Sequence, residues 1–368
     1  MRIQYSLESK SLNKVYNFSP GPSKINEGVI KEVKKSIENY KDTGKSILEI
    51  SHRSKDFEEI LDSINQNFQS LFGLPNDFKI LLLQGGATFQ NSLIPFNIGL
   101  DNSIGCLVNG TWGQKTYEDF SKINNETVLF DANKQSLDTY LANDFNGFNK
   151  VNYLHITSNE TIEGVQLKNF NKINHDKLII DMSSDFGSYK FDFENINYIY
   201  AGAQKNMGIP GVTVCIVKDS FLIDDKNPSY LNLKKLTNAG SVLNTPPTFS
   251  IYVLKLVTEW MIKSGGVEYF EEKSKRQSNL LYDFIDNNSS QVNCKVKKTY
   301  RSNSNVVFSF TKEADNDNFI KLSSENGIIG VNGHRSVGGI RVSLFNSVDD
   351  EMFEYFMDFF KQFLVENK

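Results

Sequence analysis

The spacing of hydrophobic positions divides the chain into helical and extended stretches. Residues 27–40 and 56–72 are predicted helices, and in the second the apolar side chains recur at the three- and four-residue spacing of one helix face. Short apolar runs then alternate with polar turns, which predicts strands. The predicted strands are residues 79–84, 103–108, 152–157, 177–181, 198–203 and 211–217.

Several of these predicted strands are apolar throughout, without a polar residue at every second position. Strands that helices cover on both faces have this composition, whereas a strand with one face in water alternates polar and apolar residues. The sequence therefore predicts an α/β fold of three layers with a mostly parallel central sheet.

The pattern changes at residues 244–247, where two prolines interrupt it. A long helix with one apolar face follows and is closed by Gly265 and Gly266, and a second helix is predicted over 267–286. These helices mark the passage from the large α/β unit to the rest of the chain.

The C-terminal part is predicted to form a smaller α+β unit. It contains two strand-like segments, at about 293–311 and 338–345, and a final helix that Ser347 opens in an S-x-x-D cap. The predicted division is a large domain over 17–250, a small domain over 251–368, and a segment 1–16 packing nearby.

Composition narrows the class of protein. Of the 368 residues, 39% are hydrophobic and 23% charged, and the net charge is -4, so no general positive field attracts nucleic acid or a membrane surface. Cys106, Cys215 and Cys294 are too far apart for a CxxC motif, so neither a disulfide framework nor a metal site is indicated. We expect a cytoplasmic protein without a membrane span.

Glycines follow the first predicted strand, in the run Gly85-Gly86-Ala87-Thr88, before a helical pattern. Glycine lets the backbone approach a ligand, and the free N–H groups of a helix start bind phosphate. The alternative is a purely structural turn. Ligands of parallel sheets bind at the carboxyl ends of the strands, so the residues at the other strand ends decide between a phosphate site and a structural turn.

Trp112 follows the second strand between two glycines and is expected at a loop tip, as a flat surface for an aromatic ligand. Core packing is the alternative for this side chain. After the third strand, Thr157, Ser158 and Thr161 offer hydroxyl groups.

Asp181 ends a very apolar strand, and Lys205 follows the next one beside Gln204 and before a stiff glycine- and proline-containing turn. Asp181 is either a turn residue or a buried carboxylate that faces a cationic nitrogen. Lys205 is either a solvated charge or an amine for covalent chemistry. A phosphate seat, a stacking aromatic, a carboxylate for a pyridinium and a lysine for an imine together indicate pyridoxal 5′-phosphate.

Arginine is scarce, with six residues against 34 lysines, so each arginine is informative. Its planar group binds carboxylate or phosphate at two points, which an ammonium does not do. Two of the six follow a histidine, in the pairs His52-Arg53 and His334-Arg335.

With these residues in place, the chain resembles the phosphoserine aminotransferases, class-V transaminases of the aspartate-aminotransferase fold, over nearly its whole length. The resemblance implies the three-layer fold of pyridoxal-phosphate-dependent transferases. The motifs that carry it, in order, are NFSPGPSKI (17–25), SHRSKDF (51–57), LLLQGGATFQ (81–90), GTWGQK (110–115), SNETIEGV (158–165), DMSSD (181–185), YAGAQKNMGIPG (200–211), NTPPTFSIY (244–252) and GHRSVGGIRVSLFN (333–346).

The resemblance also implies roles for individual residues around the cofactor. Lys205 carries the Schiff base, Asp181 meets the pyridine nitrogen, Trp112 stacks on the ring, and Gln204 contacts the ring oxygen. The backbone of Ala87 and Thr88 holds the phosphate. Thr161 matches a hydroxyl contact, with Thr157 as a rival. The pair Asn244-Thr245 reaches the phosphate in the neighbouring subunit, which implies a homodimer with shared active sites.

On the substrate side, the resemblance implies that Arg341 binds the α-carboxylate and that Ser19 belongs to the substrate site. His52, Arg53, His334 and Arg335 match the cluster that receives the distal anion.

The implied reaction is a ping-pong transfer from L-glutamate to 3-phosphohydroxypyruvate, in serine biosynthesis. A related phosphorylated hydroxythreonine precursor of pyridoxine is a further possible substrate. Rival interpretations are a cysteine desulfurase, a serine–glyoxylate transaminase and a nucleotide-binding protein, none of which accounts for Lys205, Asp181 and both His-Arg pairs together.

Overall fold

The computed structural model describes residues 14–142, 145–223 and 227–367. None of the helices in these ranges is both long enough and apolar enough to cross a membrane. The helices are α1 (Glu27–Glu38), α2 (Lys55–Phe72), α3 (Gly86–Ile98), α4 (Thr111–Ile123), α5 (Leu137–Tyr140), α6 (Leu233–Asn238), α7 (Thr248–Lys263), α8 (Gly266–Asn287), α9 (Glu313–Glu325) and α10 (Asp350–Glu366). The strands are β1 (Tyr16–Asn17), β2 (Phe78–Leu83), β3 (Ile104–Val108), β4 (Thr127–Asp131), β5 (Tyr153–Thr157), β6 (Asn159–Glu160), β7 (Val165–Gln166), β8 (Leu178–Asp181), β9 (Ile196–Gly202), β10 (Thr213–Lys218), β11 (Val292–Asn293), β12 (Asn305–Phe310), β13 (Ile328–Ile329) and β14 (Ile340–Ser343).

A seven-stranded sheet forms the centre of the molecule, in the order β2-β10-β9-β8-β5-β3-β4. Within it, β10 runs antiparallel to both neighbours, and the remaining strands share one direction. The predicted α/β fold with a mostly parallel sheet is confirmed. The edge strand β4 was not predicted, because it has only three consecutive apolar residues and most of its residues are only part-buried.

Both faces of this sheet are covered, as the apolar runs require. Leu82 and Ile180 lie in the cluster that includes residues of α2 and α7. Leu81 and Ile179, one position away on the same strands, lie in a second cluster with residues of α3 and α4. Because neighbouring residues of a strand point to opposite faces, each of these strands contributes to two cores.

Helix α7 packs with the first cluster, where Ile251 and Met261 are completely buried. The predicted domain boundary at residue 250 falls at the start of this helix. Most buried apolar residues from Leu281 onward lie in a third cluster, which also contains Tyr16 and Phe18. The division into two domains stays a prediction, and of the predicted segment 1–16, residues 1–13 lie outside the described ranges.

The third cluster fills the space between the sheet β11-β12-β14 and helices α9 and α10. Helix α9 was not recognised in the sequence, because its buried side is narrow and includes polar Asn316 and Ser323. The prediction that Ser347 opens the final helix is wrong. The cap is Asp349, whose side chain accepts the N–H of Met352 at 2.9 Å.

Phe319 is expected to be a main contributor to this cluster. It is completely buried, and its ring centre lies 5.2 Å from those of Phe310 and Phe360. Replacing Phe319 with alanine should lower the free energy of unfolding by about 3–5 kcal/mol, because it removes a large buried side chain and leaves a cavity. Urea unfolding followed by circular dichroism measures this loss. The control Val365→Ala, on the exposed side of α10, should change it by less than about 0.5 kcal/mol, and equal losses would contradict the assignment.

Candidate functional site

The carboxyl ends of β5, β8 and β9 lie side by side, with Thr157 opposite Asp181 and Asp181 opposite Tyr200. Lys205 follows β9 in the connection to β10. A cavity of about 350 Å³ opens at this edge of the sheet. The predicted site residues that line it are Ala87, Thr88, Trp112, Thr161, Asp181, Gln204, Lys205, His334 and Arg341.

The amine of Lys205 is held inside this cavity. Its Nζ donates a hydrogen bond to Thr161 Oγ1 at 3.1 Å. The backbone beneath it is fixed by Ser23, whose N–H donates to Gln204 O at 2.9 Å and whose hydroxyl donates to Lys205 O. Desolvation lowers the pKa of Lys205. The negative charge of Asp181 acts in the opposite direction, because it favours the ammonium form.

Asp181 is buried, and its Oδ1 accepts the N–H of Ser183 at 2.9 Å. It is therefore both a turn residue and a carboxylate in the cavity. Desolvation raises its pKa, while the hydrogen bonds of Ser183 and the charge of Lys205 act in the opposite direction. A cationic ring nitrogen in the cavity would stabilise the ionised form.

Helix α3 begins at the cavity with free donors. Gly85 and Gly86 have φ of 89° and 68°, and the Gly85 cap has no side chain to accept the first N–H groups. A Cβ on Gly85 would lie 2.6 Å from Phe89, so glycine is required there by space as well. The N–H groups of the first turn, which includes Ala87 and Thr88, therefore form a seat for an anion.

Trp112 lies in the first turn of α4, so the prediction that it is at a loop tip is wrong. Gly110 is the cap of this helix and Gly113 is buried in its first turn, so the glycines belong to a helix start and do not form a loop. The indole faces the cavity, with Lys205 Nζ 5.9 Å from the ring centre. Its Nε1 is buried and has no hydrogen-bond partner.

Two threonines compete for the hydroxyl contact to the cofactor. Thr161 accepts the hydrogen bond from Lys205, whereas the hydroxyl of Thr157 is buried without a partner. Both line the cavity, so the choice between them stays open.

Three acidic residues around the site were not singled out in the sequence. Glu160 is completely buried, and its burial raises its pKa to about 8. Glu163 accepts the N–H of Thr111 at 3.0 Å. Asp185 accepts hydrogen bonds from Ser158 and Gln166, and burial raises its pKa to about 6. In the sequence, acidic residues in a polar stretch look exposed. The one available signal for a carboxylate nearby was the helix start GTWG, which has no side chain to accept its first N–H groups.

Arg341 lies on β14 and is 8% exposed. Its Nε is buried without a hydrogen-bond partner, and within the described ranges no carboxylate forms an ion pair with it. Desolvation lowers its pKa, and the charge of Glu163 partly opposes this. The guanidinium is therefore available for an anionic group in the cavity.

His334 lines the cavity near Arg341. The N–H of Ser336 donates to its Nδ1 at 3.2 Å. A ring nitrogen that accepts a hydrogen bond carries no hydrogen, so the neutral imidazole bears its hydrogen on Nε2 and offers it as a donor.

Six predicted residues do not line the cavity of this chain. Arg53, Arg335, Asn244 and Thr245 are exposed, and His52 and Ser19 are half-buried. Their roles stay predictions. The backbone oxygen of Thr245 accepts a hydrogen bond from Gln84, next to the glycine turn, at 3.0 Å.

The cysteines do not provide an alternative nucleophile. Cys106 and Cys215 are completely buried in β3 and β10, as expected, and burial raises the pKa of Cys215 to about 12. Cys294 lies in the small sheet region, away from the cavity, and its pKa is also raised by burial. A thiolate mechanism has no support here.

Comparison with known proteins agrees with this geometry. The family model Aminotransferase class-V matches residues 15–356. A phosphoserine aminotransferase of Bacillus cereus is 38% identical over 361 residues, covering 97% of this chain and 100% of that protein. The solved phosphoserine aminotransferase from Bacillus circulans subsp. alkalophilus has a TM-score of 0.91 at 33% identity, covering 96% of this chain and 99% of that one. A solved phosphoserine aminotransferase, from a study of radiation damage of its Schiff base, has a TM-score of 0.89 at 36% identity, covering 96% of this chain and 100% of that one. The chain therefore belongs to the class-V aminotransferases and, within them, to the phosphoserine aminotransferase family.

Proposed function

We propose that this protein transfers the amino group of L-glutamate to 3-phosphohydroxypyruvate and releases 2-oxoglutarate and O-phospho-L-serine. The observation that carries the proposal is the Lys205 amine, held inside a cavity between the carboxylate of Asp181 and a helix start with free N–H groups. The relatives' name supports the choice of substrate.

Pyridoxal 5′-phosphate fits the groups that line the cavity. When bound, it supplies an aldehyde that condenses with a lysine amine and a pyridine ring that accepts electrons. The N–H groups of Ala87 and Thr88 would hold its phosphate, and Asp181 its ring nitrogen. Gln204 would contact its ring oxygen, and Trp112 would cover a ring face. A Cβ on Gly86 would meet only open space, so this seat has room for a phosphate group.

Lys205 would handle the proton in the reaction. Because desolvation lowers its pKa, more of the amine is uncharged near neutral pH than for an exposed lysine. The uncharged Nζ would take the proton from the substrate Cα and later return one to the product. The Thr161 hydroxyl, 3.1 Å from Nζ, would steady the amine between these steps.

The cations would select the substrates. Arg341 has no carboxylate partner among the described residues, and it would bind the α-carboxylate that glutamate and phosphoserine share. His334 would donate Nε2–H to the distal anion, together with Arg335, His52 and Arg53. The side-chain carboxylate of glutamate and the phosphate of 3-phosphohydroxypyruvate are both distal anions, so one pocket would serve both half-reactions. The phosphorylated hydroxythreonine precursor of pyridoxine carries the same kind of phosphate.

We also propose a homodimer with shared active sites. Asn244 and Thr245 are exposed in the irregular segment before α7 and do not line the cavity of their own chain. The resemblance assigns them a contact to a cofactor phosphate, and a second copy of the chain would give them that contact.

Reductive trapping tests the cofactor assignment. Treatment of the holoenzyme with borohydride should fix the cofactor on Lys205, because reduction makes the imine bond permanent. Peptide mass spectrometry locates the added mass, and the Lys205→Ala variant should remain folded, lose turnover and show no adduct. An adduct on another lysine, or none, would reject the proposal.

Arg335→Lys tests the distal-anion site. We expect kcat/KM for 3-phosphohydroxypyruvate to fall about tenfold, because an ammonium does not reproduce two-point binding of phosphate. Affinity for the cofactor and kcat/KM for a keto acid without phosphate should change little. Arg276→Lys, in an exposed ion pair with Asp350, is the matched control and should leave both values unchanged. Equal kinetics for Arg335→Lys and wild type would remove Arg335 from the pocket.

Mixed dimers test the shared site. Alone, Lys205→Ala chains should be inactive, and chains with Asn244→Ala and Thr245→Val should be weakly active. Refolded together in equal amounts, they should recover about a quarter of wild-type activity, because half of the dimers are mixed and each of these has one intact site. Recovery is measured with a coupled assay for 2-oxoglutarate. No recovery, with mixed dimers demonstrated by affinity tags, would place both residues in their own chain's site.

A further inference from the structure

The start of helix α4 is held by two carboxylates from outside the helix. Its cap, Gly110, has no side chain that could accept the first N–H groups. The N–H of Trp112 donates to Glu160 Oε2 at 2.9 Å, and the N–H of Gly113 donates to Glu160 Oε1 at 2.7 Å. Glu163 accepts the N–H of Thr111 at 3.0 Å. Three donors that a helix start normally leaves free are thus satisfied from β6 and the turn that follows it.

Glu160 fits closely in this place. It is completely buried. A Cβ on Gly110 would lie 2.5 Å from its Cγ, and a Cβ on Gly113 would lie 3.2 Å from its Oε1. Glycine at both positions therefore makes room for the carboxylate, and the carboxylate has little freedom to move away from the two N–H groups.

Trp112 stands between these contacts, and its side chain lines the cofactor cavity. Among the described residues the indole Nε1 makes no hydrogen bond, and the amine of Lys115, on the next turn of the same helix, lies 4.4 Å from the ring centre. Glu160 fixes the backbone at Trp112 by accepting the N–H groups of Trp112 and Gly113. We propose that Glu160 is a positioning residue, which sets the Trp112 indole against the cofactor ring by binding the N–H groups of Trp112 and Gly113.

The effect of Glu160 on cofactor binding rests on the proposed function. The hydrogen bonds from Trp112 and Gly113 to Glu160 do not, because they form within the protein itself. A carboxylate accepts at both oxygens, and the partial positive charge of a helix start favours it. A glutamine side chain would offer one oxygen and one NH2 group, which is a donor facing a donor. Glu160→Gln therefore removes one of the two contacts at almost constant volume.

Tryptophan fluorescence gives a direct readout, because the chain has two tryptophans. In a Trp260→Phe background, Trp112 is the single tryptophan, and excitation that is selective for tryptophan avoids the emission of the 15 tyrosines. Without cofactor, Glu160→Gln should increase quenching of Trp112 by acrylamide, since the indole becomes less well packed. With pyridoxal phosphate, the same variant should bind the cofactor about tenfold more weakly, as expected for the loss of one hydrogen bond and the approach of two donors.

Asn232→Ala is the matched control. Asn232 is completely buried in the same α/β part of the chain and accepts the N–H of Lys235 at the start of α6. This variant should lose stability while leaving Trp112 quenching and cofactor affinity unchanged. Glu160→Asp keeps a carboxyl group on a shorter side chain. It should shift Trp112 quenching and cofactor affinity in the same direction as Glu160→Gln, and it replaces that variant as the test if Glu160→Gln does not fold.

Wild-type quenching and wild-type cofactor affinity in a folded Glu160 variant would overturn the proposal. Equal shifts in the Asn232 control would overturn it as well, because the effect would then follow from general loss of stability. If the unmodified protein binds no pyridoxal phosphate, the proposed function fails, and acrylamide quenching in the cofactor-free protein still decides the role of Glu160.

Discussion

The structure depends on holding one half-buried amine next to buried carboxylates. Lys205 lies among Asp181, Asp185 and Glu160, each of which favours its charged form, while desolvation favours the uncharged one. A buried charge without such partners is unfavourable by several kcal/mol. The parallel strands make the arrangement possible, because they bring residues far apart in sequence to the same edge of the sheet. Asp185 is in turn satisfied by Ser158 and Gln166, so the acidic surroundings are themselves hydrogen-bonded.

Much of this framework follows from the sequence. Strands such as Leu178–Asp181 are apolar runs that only a doubly covered sheet accommodates, so the fold class and the residues at the strand ends were predictable. The edge strand Thr127–Asp131 was not, because a half-exposed strand lacks that signal. Glu160 was missed for the opposite reason. Its burial results from packing between distant segments, and no local pattern distinguishes it from a solvated glutamate.

The substrate side shows a different limit. Arg341 and His334 reach the cavity from the small sheet and the loop before it, whereas Arg53 and Arg335 are exposed in a single chain. Scarcity of arginine drew attention to all of them, yet composition contains no information about which surfaces meet. Contacts between chains depend on the shape of the assembled surface, and neither helical nor strand periodicity encodes that shape.

The antiparallel direction of β10 has a consequence for the lysine. Because β9 and β10 are antiparallel neighbours, residues 203–212 connect them directly, and the N–H of Ala203 donates to Val212 O at 3.1 Å. Lys205 thus lies in a short connection that is hydrogen-bonded at its base, so rotation of its own methylene chain is the main way for its amine to change position. In the proposed reaction, an amine attached in this way would stay beside the reacting carbon, and its effective concentration there would far exceed that of a lysine free in solution.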